Sequence, residues 1–146
     1  MNDKIIIYTD GACSGNPGKG GWGTLILNDG NCQEFYGGDA STTNNKMELT
    51  AVIKALQRVG HTDKQISIWT DSQYVKNGMT VWINTWKKHR WINSQREPVK
   101  NKDLWITLDR LCAKKNITWH WIKGHNGHPE NERVDELARQ GIAELD

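Results

Sequence analysis

The pattern of apolar and polar positions divides the chain into short strands followed by amphipathic helices. A run of β-branched and aromatic residues at 4–9 predicts a buried strand. A glycine-rich connection follows at 11–23, and two further strands are predicted at 22–27 and 32–36, on either side of the turn residues 28–30. Because these three strands follow one another through short connections, we expect them to pair antiparallel.

A helical period replaces the alternation near residue 45. Apolar residues at 47, 49, 52, 53, 55, 56 and 59 form one stripe, which predicts a helix over 45–59 that ends at Gly60. The remaining pattern predicts strands at 66–70 and 117–121 and helices at 72–78, 81–88, 103–114 and 130–145. The order βββαβα(αα)βα predicts an α/β fold with a mixed sheet flanked by helices.

Composition places this pattern in one globular domain spanning residues 1–146. Hydrophobic residues make up 36% and charged residues 25% of the chain, which argues against both a disordered and a membrane-spanning protein. The first residues lack the basic start and apolar stretch of a secretion signal. Three widely spaced cysteines fit neither a disulfide framework nor a zinc motif, so we expect free thiols and a cytoplasmic location.

The net charge of +2 conceals an uneven distribution along the chain. The segment from Lys76 to Lys102 contains seven basic residues and one acid, Glu97, a net charge of +6, so the remainder carries −4. Three of the eight tryptophans, Trp82, Trp86 and Trp91, lie in the same segment. This basic segment and the acidic remainder therefore need separate explanations.

Two predicted strands end in nearly the same way, with Asp10 after Tyr8-Thr9 and Asp71 after Trp69-Thr70. Ligand sites of α/β sheets form beyond the carboxyl ends of strands, and two carboxylates there favour a hard cation such as Mg²⁺ or Mn²⁺ between them. The alternative is that each aspartate caps the element that follows, and Asp71 suits the N-cap of a helix. For either residue alone the two interpretations carry about equal weight.

Three more residues are ambiguous when each is considered alone. Glu48 fits a capping box begun by Asn45, in which its side chain reaches back to the cap amide. Asp135 lies at the edge of an apolar stripe and can form an i,i+4 pair with Arg139. His125, in a glycine-bounded loop, can titrate near neutrality, but a plain surface loop explains it as well.

In the basic segment, aromatic and cationic residues are interleaved. The tryptophans at 82 and 86 share a helix face, and for Trp86 and Trp91 packing within the segment is the favoured interpretation. Five cations lie between Lys87 and Lys100 with no matching acids to pair with them, which is typical of a surface that binds a phosphate backbone. A membrane-surface helix fits less well because the segment lacks a wide apolar face. The residues alone favour a metal-dependent nuclease, with a nucleic-acid binding module as the alternative.

Taken together, five motifs resemble the bacterial ribonuclease HI group of the type 1 ribonuclease H family. They are YTDGACSGNPGKGGWG, TTNNKMELTAVIKAL, TDSQYV, WKK followed by PVKNKDLW, and KGHNGHPENERVDELA, and they run from Tyr8 to about Gly141. The resemblance implies a five-stranded mixed sheet with helices on both faces. It also implies endonucleolytic cleavage of the RNA strand of an RNA/DNA hybrid, which leaves 5′-phosphate and 3′-hydroxyl ends.

The resemblance also assigns roles to residues. It implies that Asp10, Glu48, Asp71 and Asp135 hold two Mg²⁺ ions, for which Mn²⁺ can substitute, and that His125 aids proton transfer or product release. The residues implied to contact the hybrid are Gly11, Cys13, Asn16, Thr43, Asn44, Asn45, Gln73, Trp82, Trp86, Lys87, Lys88, Arg90 and Lys100. The last six belong to a basic protrusion at about 81–101, which the family uses outside the active site. A monomer is expected, and its replication or repair partners are open.

Overall fold

The computed structural model describes residues 4–123 and 128–145, which form one five-stranded mixed sheet with its helices. The strands are β1 (Lys4–Gly15), β2 (Gly18–Asn28), β3 (Asn31–Thr42), β4 (Gln65–Thr70) and β5 (Asn116–Trp121). They lie in the order β3-β2-β1-β4-β5, with β1, β2 and β3 antiparallel and β4 and β5 parallel to β1. The predicted α/β fold and the antiparallel pairing of the first three strands are confirmed.

In the described part of the chain, five α-helices accompany the sheet. They are α1 (Asn44–Val59), α2 (Gln73–Asn77), α3 (Ile83–Lys88), α4 (Lys102–Cys112) and α5 (Pro129–Ala143). The two short helices predicted at 72–78 and 81–88 form one continuous helical segment, since a π-helical turn (Gly78–Trp82) joins α2 to α3. Within the described ranges, no helix is long and apolar enough to cross a bilayer.

The glycine-rich connection predicted at 11–23 is wrong, because almost all of it is strand. The β1–β2 turn contains only Asn16 and Pro17, and their peptide bond is cis. The glycines of β2 leave room for α5: a Cβ at Gly21 would lie 2.0 Å from the Ala138 carbonyl oxygen, and one at Gly23 would lie 2.5 Å from that of Val134. These glycines therefore bring a helix against a sheet and do not form a loop.

The two faces of the sheet support different helices. Ile7 of β1 and Ile26 of β2 belong to the main core, which packs against α1 and α4. Leu25 of β2 points to the other face and packs with Val134 and Leu137 of α5. Because α1 and α5 cover opposite faces of β1, the residues near the start of each helix come close to the same strand.

Candidate active site

The register between β1 and β4 brings two carboxylates to one edge of the sheet. Thr9 of β1 pairs directly with Thr70 of β4 in parallel orientation. Asp10 and Asp71 follow this last β1–β4 pair, and their side chains lie close together. The prediction that both residues come after the end of a strand is correct for Asp71 but wrong for Asp10, because β1 continues to Gly15 by pairing with β2.

Gly11 allows α1 to begin directly against β1. A Cβ at this position would lie 2.5 Å from the backbone nitrogen of Glu48, so no larger residue fits without a shift of the backbone. This close approach places the Glu48 side chain in the interior, only 5% exposed, beside Asp10. Carboxylate oxygens of Asp10, Glu48 and Asp71 all lie within 4.8 Å of one another.

Both capping interpretations of these acids are wrong. The N-cap of α1 is Thr43, whose hydroxyl accepts a hydrogen bond from the Lys46 backbone N–H at 3.2 Å, so Glu48 takes no part in a capping box begun by Asn45. The N-cap of α2 is Ser72, whose hydroxyl accepts from the Val75 N–H at 3.1 Å. Because neighbouring hydroxyls cap the two helices, capping does not account for either Glu48 or Asp71.

Asp135 approaches the same group from the opposite face of the sheet. It lies in the second turn of α5 and lines the same cleft as Asp10, Glu48 and Asp71. The predicted i,i+4 pair is also present, with 2.8 Å between the Arg139 Nη2 and Asp135 Oδ2 atoms. The ion pair and the place in the cluster are therefore compatible properties of one side chain.

Burial and the neighbouring negative charges control the protonation of the two inner carboxyls. Burial, followed by the charges of Asp71 and Asp135, raises the pKa of Asp10 to about 9. The pKa of Glu48 also lies well above its ordinary value, first because of burial and then because of Asp10 and Asp71, while a hydrogen bond from the Gly11 N–H acts in the opposite direction. Carboxylates that resist ionisation together are stabilised as anions when a cation binds between them.

The donor set fits a divalent metal ion. Glu48 Oε1 is fully buried and has no hydrogen-bond partner among the described residues, although an acceptor in the interior normally has one. Its neighbours are carboxylate oxygens, which are the ligands that Mg²⁺ and Mn²⁺ prefer. A cation at this position would satisfy the orphaned oxygen and offset the repulsion between the acids.

The acids form the floor of a polar cleft of about 400 Å³. Its walls include Gly11, Asn44, Asn45 and Gln73, four of the residues that the sequence resemblance assigns to nucleic-acid contact. The amides come from the first turns of α1 and α2, so the same two helix starts that surround the acids also supply the amides. The cleft therefore joins carboxylates with neutral groups that both donate and accept hydrogen bonds.

Comparison with known proteins identifies the family. The sequence profile of the RNase H family matches residues 2–143. The chain belongs to the ribonuclease H family. Members of this family are endoribonucleases of RNA/DNA hybrids and depend on divalent metal ions.

Curated relatives match this chain over nearly its whole length. Ribonuclease H of Cupriavidus pinatubonensis is 51% identical over 142 residues, which are 97% of each chain. Ribonuclease HI of Neisseria meningitidis serogroup B is 53% identical over 145 residues, which are 99% of each chain. Both relatives are thus similar in length as well as in sequence.

Solved structures of the ribonuclease H family share the fold. LC9-RNase H1, described as a type 1 RNase H with the type 2 active-site motif, is 29% identical, with a TM-score of 0.86 over 98% of this chain and 74% of that one. LC11-RNase H1, solved in complex with an RNA/DNA hybrid, is 26% identical, with a TM-score of 0.73 over 95% of this chain and 96% of that one. The second structure shows this fold bound to a hybrid.

Three more of the predicted contact residues lie at the edge of the ribonuclease H cleft. Asn16 occupies the β1–β2 turn, and its side-chain oxygen accepts a hydrogen bond from the Asn44 N–H at 3.3 Å. Thr43 is the N-cap of α1, and Cys13 lies on β1 with its sulfur 3.4 Å from the Thr42 carbonyl oxygen. The turn, the cap and the strand therefore form one connected surface beside the acids.

The protrusion predicted at 81–101 separates its aromatic from its cationic residues. Trp86 is half-buried between Trp82, Trp91 and Trp105, so the favoured packing interpretation agrees with its contacts, whereas Trp82 remains 38% exposed. The cations at 88, 90 and 100 are exposed. The expectation that no acid pairs with these cations is wrong for Lys87, whose Nζ lies 3.3 Å from the Asp109 carboxylate of α4, because α4 packs alongside the protrusion.

His125 lies outside the described residues. Sequence analysis also missed two groups that shape the site: the Ser72 hydroxyl, which caps α2, and Trp121, whose indole N–H donates to the Asp71 carbonyl oxygen at 3.2 Å. Ser72 could have been found as an N-cap residue directly before a short helix. No local sequence pattern indicates the role of Trp121, because its contact with Asp71 joins positions 50 residues apart.

Proposed function

We propose that this protein is an endonuclease that hydrolyses the RNA strand of RNA/DNA hybrids and leaves 5′-phosphate and 3′-hydroxyl ends. The observation that supports it most directly is the group of carboxylate oxygens from Asp10, Glu48 and Asp71, all within 4.8 Å, at the floor of a cleft with amide walls. Membership of the ribonuclease H family and the hybrid bound by LC11-RNase H1 support the substrate.

In this proposal Asp10, Glu48, Asp71 and Asp135 hold two Mg²⁺ ions, for which Mn²⁺ can substitute. Bound there, the ions would supply an activated water and would stabilise the oxygen that leaves the scissile phosphate. Asp10 lies close to both Asp71 and Asp135, and these three residues would hold the ions together with Glu48, which would contribute from the interior. Cation binding requires Asp10 and Glu48 in their ionised forms, so it releases protons.

Discrimination between RNA and DNA follows from the chemistry of the cleft walls. The wide minor groove of a hybrid displays the 2′-hydroxyl of each ribose, which both donates and accepts hydrogen bonds. The backbone at Gly11 and the side-chain amides of Asn45 and Gln73 match this group, since each amide offers a donor and an acceptor. A deoxyribose would leave these polar groups unpaired and would bind less well in the register that brings its phosphate to the acids.

The DNA strand lies, in this proposal, on the surface beside the acids. Asn16, Thr43 and Asn44 offer polar side chains and backbone amides to a phosphate at the start of α1, where the helix dipole also favours an anion. Trp82 offers a flat apolar surface to a deoxyribose. The cations of the protrusion, Lys87, Lys88, Arg90 and Lys100, bind phosphates farther along the duplex.

In this proposal, His125 also aids proton transfer or product release. The protein acts as a monomer in the cytoplasm, as one domain over residues 1–146, and its free cysteines fit a reducing compartment. Few contacts with base edges are expected, so cleavage should be tolerant of sequence.

A cleavage assay with four labelled substrates tests the proposal. In the presence of Mg²⁺, the protein is expected to cut the RNA strand of an RNA/DNA hybrid and to leave duplex RNA, duplex DNA and single-stranded RNA intact. Cleavage of duplex DNA instead would indicate a different metal nuclease of the same superfamily. Binding to the hybrid without any cleavage would indicate a binding module, with the Asp10→Asn variant as the control for contaminating nuclease.

A further inference from the structure

Asp71 lies in a one-residue link between β4, which ends at Thr70, and the N-cap Ser72. Hydrogen bonds hold the backbone on both sides of it. The Thr70 carbonyl oxygen accepts from the Ile122 N–H at 2.8 Å, and the Ser72 N–H donates to the Thr70 hydroxyl at 3.0 Å. The chain therefore enters and leaves Asp71 at defined points.

The backbone group of Asp71 itself is held by a side chain. The indole N–H of Trp121 donates to the Asp71 carbonyl oxygen at 3.2 Å. Trp121 is the last residue of β5 and pairs with Thr70 in the sheet, so its ring is half-buried directly beside the link. The contact is the second hydrogen bond to the peptide group between Asp71 and Ser72: the Thr70 hydroxyl holds its N–H side and the Trp121 indole holds its carbonyl side, at the point where strand geometry changes to helix.

We propose that Trp121 is a positioning residue for the catalytic acids, which acts by holding the Asp71 backbone so that its carboxylate points at Asp10. The inference rests on the proposed function, because it gives a metal-dependent role to Asp71. The orientation matters because the carboxylates of Asp10 and Asp71 repel each other when both are ionised, and loss of one hydrogen bond from the link would let Asp71 turn towards solvent. Hydrogen bonds behind metal ligands maintain ligand geometry in this way.

This role requires only the N–H of the indole, so a variant that removes this donor and keeps an aromatic ring tests the role directly. Trp121→Phe keeps an aromatic ring and removes the donor. Trp119→Phe is the matched control, because Trp119 lies on the same strand two residues earlier and packs against the main core. The pair separates loss of a hydrogen bond to Asp71 from loss of tryptophan packing on β5.

Steady-state kinetics on the hybrid give the first readout. Trp121→Phe is expected to lower kcat about tenfold and to raise the Mg²⁺ concentration for half-maximal rate, with the KM for the hybrid unchanged within about twofold. Trp119→Phe, at a similar Tm, should keep all three values near those of the wild type. Equal kinetic effects of the two variants, or a wild-type kcat for Trp121→Phe, would overturn the proposal.

A second readout does not depend on activity. In the full-length protein labelled uniformly with ¹⁵N, the indole signal of Trp121 is identified by its absence from the Trp121→Phe spectrum and followed during titration with Mg²⁺ alone. We expect the chemical shift of this signal to change with Mg²⁺ concentration and to reach a plateau as the ion binds beside Asp71. The chemical shift of the Trp119 signal should stay nearly constant. A Trp121 signal that ignores Mg²⁺ at concentrations that shift Asp10 and Asp71 backbone signals would contradict the proposal.

The two readouts keep this inference separate from the proposed function. If the wild type cleaves no hybrid, the proposed function fails, but the titration still tests whether Trp121 couples to the acids. If Trp121→Phe does not fold, benzothienylalanine at position 121 keeps the shape of the indole and removes its N–H. A folded protein with this residue and wild-type kcat would show that the hydrogen bond is dispensable.

Discussion

The acid cluster and the protrusion carry opposite charges, and they place those charges in opposite environments. Asp10 and Glu48 are 4% and 5% exposed, and each is held close to other carboxylates. Lys88, Arg90 and Lys100 are exposed to solvent. Burial strengthens electrostatic interactions, whereas solvent and salt screen them at the surface.

The difference determines what each region can do. Buried acids destabilise the folded chain and therefore bind a cation strongly, which confines the chemistry to one site. Exposed cations cost little and bind phosphates without a fixed geometry, which suits a long duplex of any sequence. Mutations in the cluster should therefore change turnover, and mutations in the protrusion should change affinity.

The largest expected effect belongs to the cluster. Asp10→Asn should lower hybrid cleavage in Mg²⁺ by about a thousandfold or more, because the central ligand loses its charge. The Kd for the hybrid, measured in Ca²⁺ or without metal, should change by less than about threefold. Robust Mg²⁺-dependent cleavage by this variant would remove the basis for the cluster as the metal site.

The protrusion should show the converse pattern. Replacement of Lys87, Lys88 and Arg90 by Ala should raise the KM about tenfold at low salt and reduce the salt slope of binding by about 2 to 3, with kcat nearly unchanged. A control with Lys54, Lys114 and Lys115 replaced by Ala has the same change in net charge outside the protrusion. Equal effects of the two triple variants would show that only net charge matters.

Stability against pH should reveal the cost of the buried acids. Because the pKa of Asp10 is raised to about 9 in the folded state, that state retains a proton which the unfolded chain releases near pH 4. Without divalent metal, the free energy of unfolding should therefore fall as the pH rises from about 4 to about 9. Mg²⁺ should offset the fall at high pH by binding the ionised acids.

The Asp10→Asn variant provides the control for that slope. At pH 8 without metal it should be more stable than the wild type by about 1 kcal/mol, a rise of roughly 3–5 °C in Tm. Denaturant unfolding at several pH values measures both the slope and the offset. A wild type whose stability rises over this range would contradict the raised pKa of Asp10.

The smallest expected effect concerns the ion pair between Lys87 of the protrusion and Asp109 of α4. Asp109→Asn should release the lysine and tighten hybrid binding by about twofold, since an exposed pair contributes little. Glu97→Gln, which removes the acid within the protrusion, is the control for charge alone. Binding curves at two salt concentrations distinguish the variants, and an unchanged Kd for Asp109→Asn would show that the pair does not compete with phosphate.

Local patterns identified most of the elements and the candidate acids. Alternation and the helical stripe identified all five strands and the helix at 45–59, because burial of one face imposes a period on the sequence. The similar residues before Asp10 in β1 and before Asp71 at the end of β4 identified these two acids as a pair. The motifs added Glu48 and Asp135, which residue-by-residue reasoning left open between structural and functional roles.

The errors came from contacts that local patterns do not encode. The glycines at 21 and 23 resemble a loop in the sequence but face α5, more than 100 residues away in the chain. Lys87 has no acidic partner nearby in sequence, and Asp109 reaches it from α4. In each case the deciding partner comes from a distant element.

The sequence by itself determined most of the strands and helices, the pair of Asp10 and Asp71 and the division of charge, because each depends on residue type and spacing, while Glu48 and Asp135 were added by the resemblance of the motifs. Only the tertiary structure decided that Gly11 lets α1 approach β1, that Glu48 becomes buried beside Asp10, and that Trp121 holds the Asp71 backbone. The physical reason is that burial and close approach depend on how separate elements pack. The raised pKa of Asp10 follows from that packing and from no single motif.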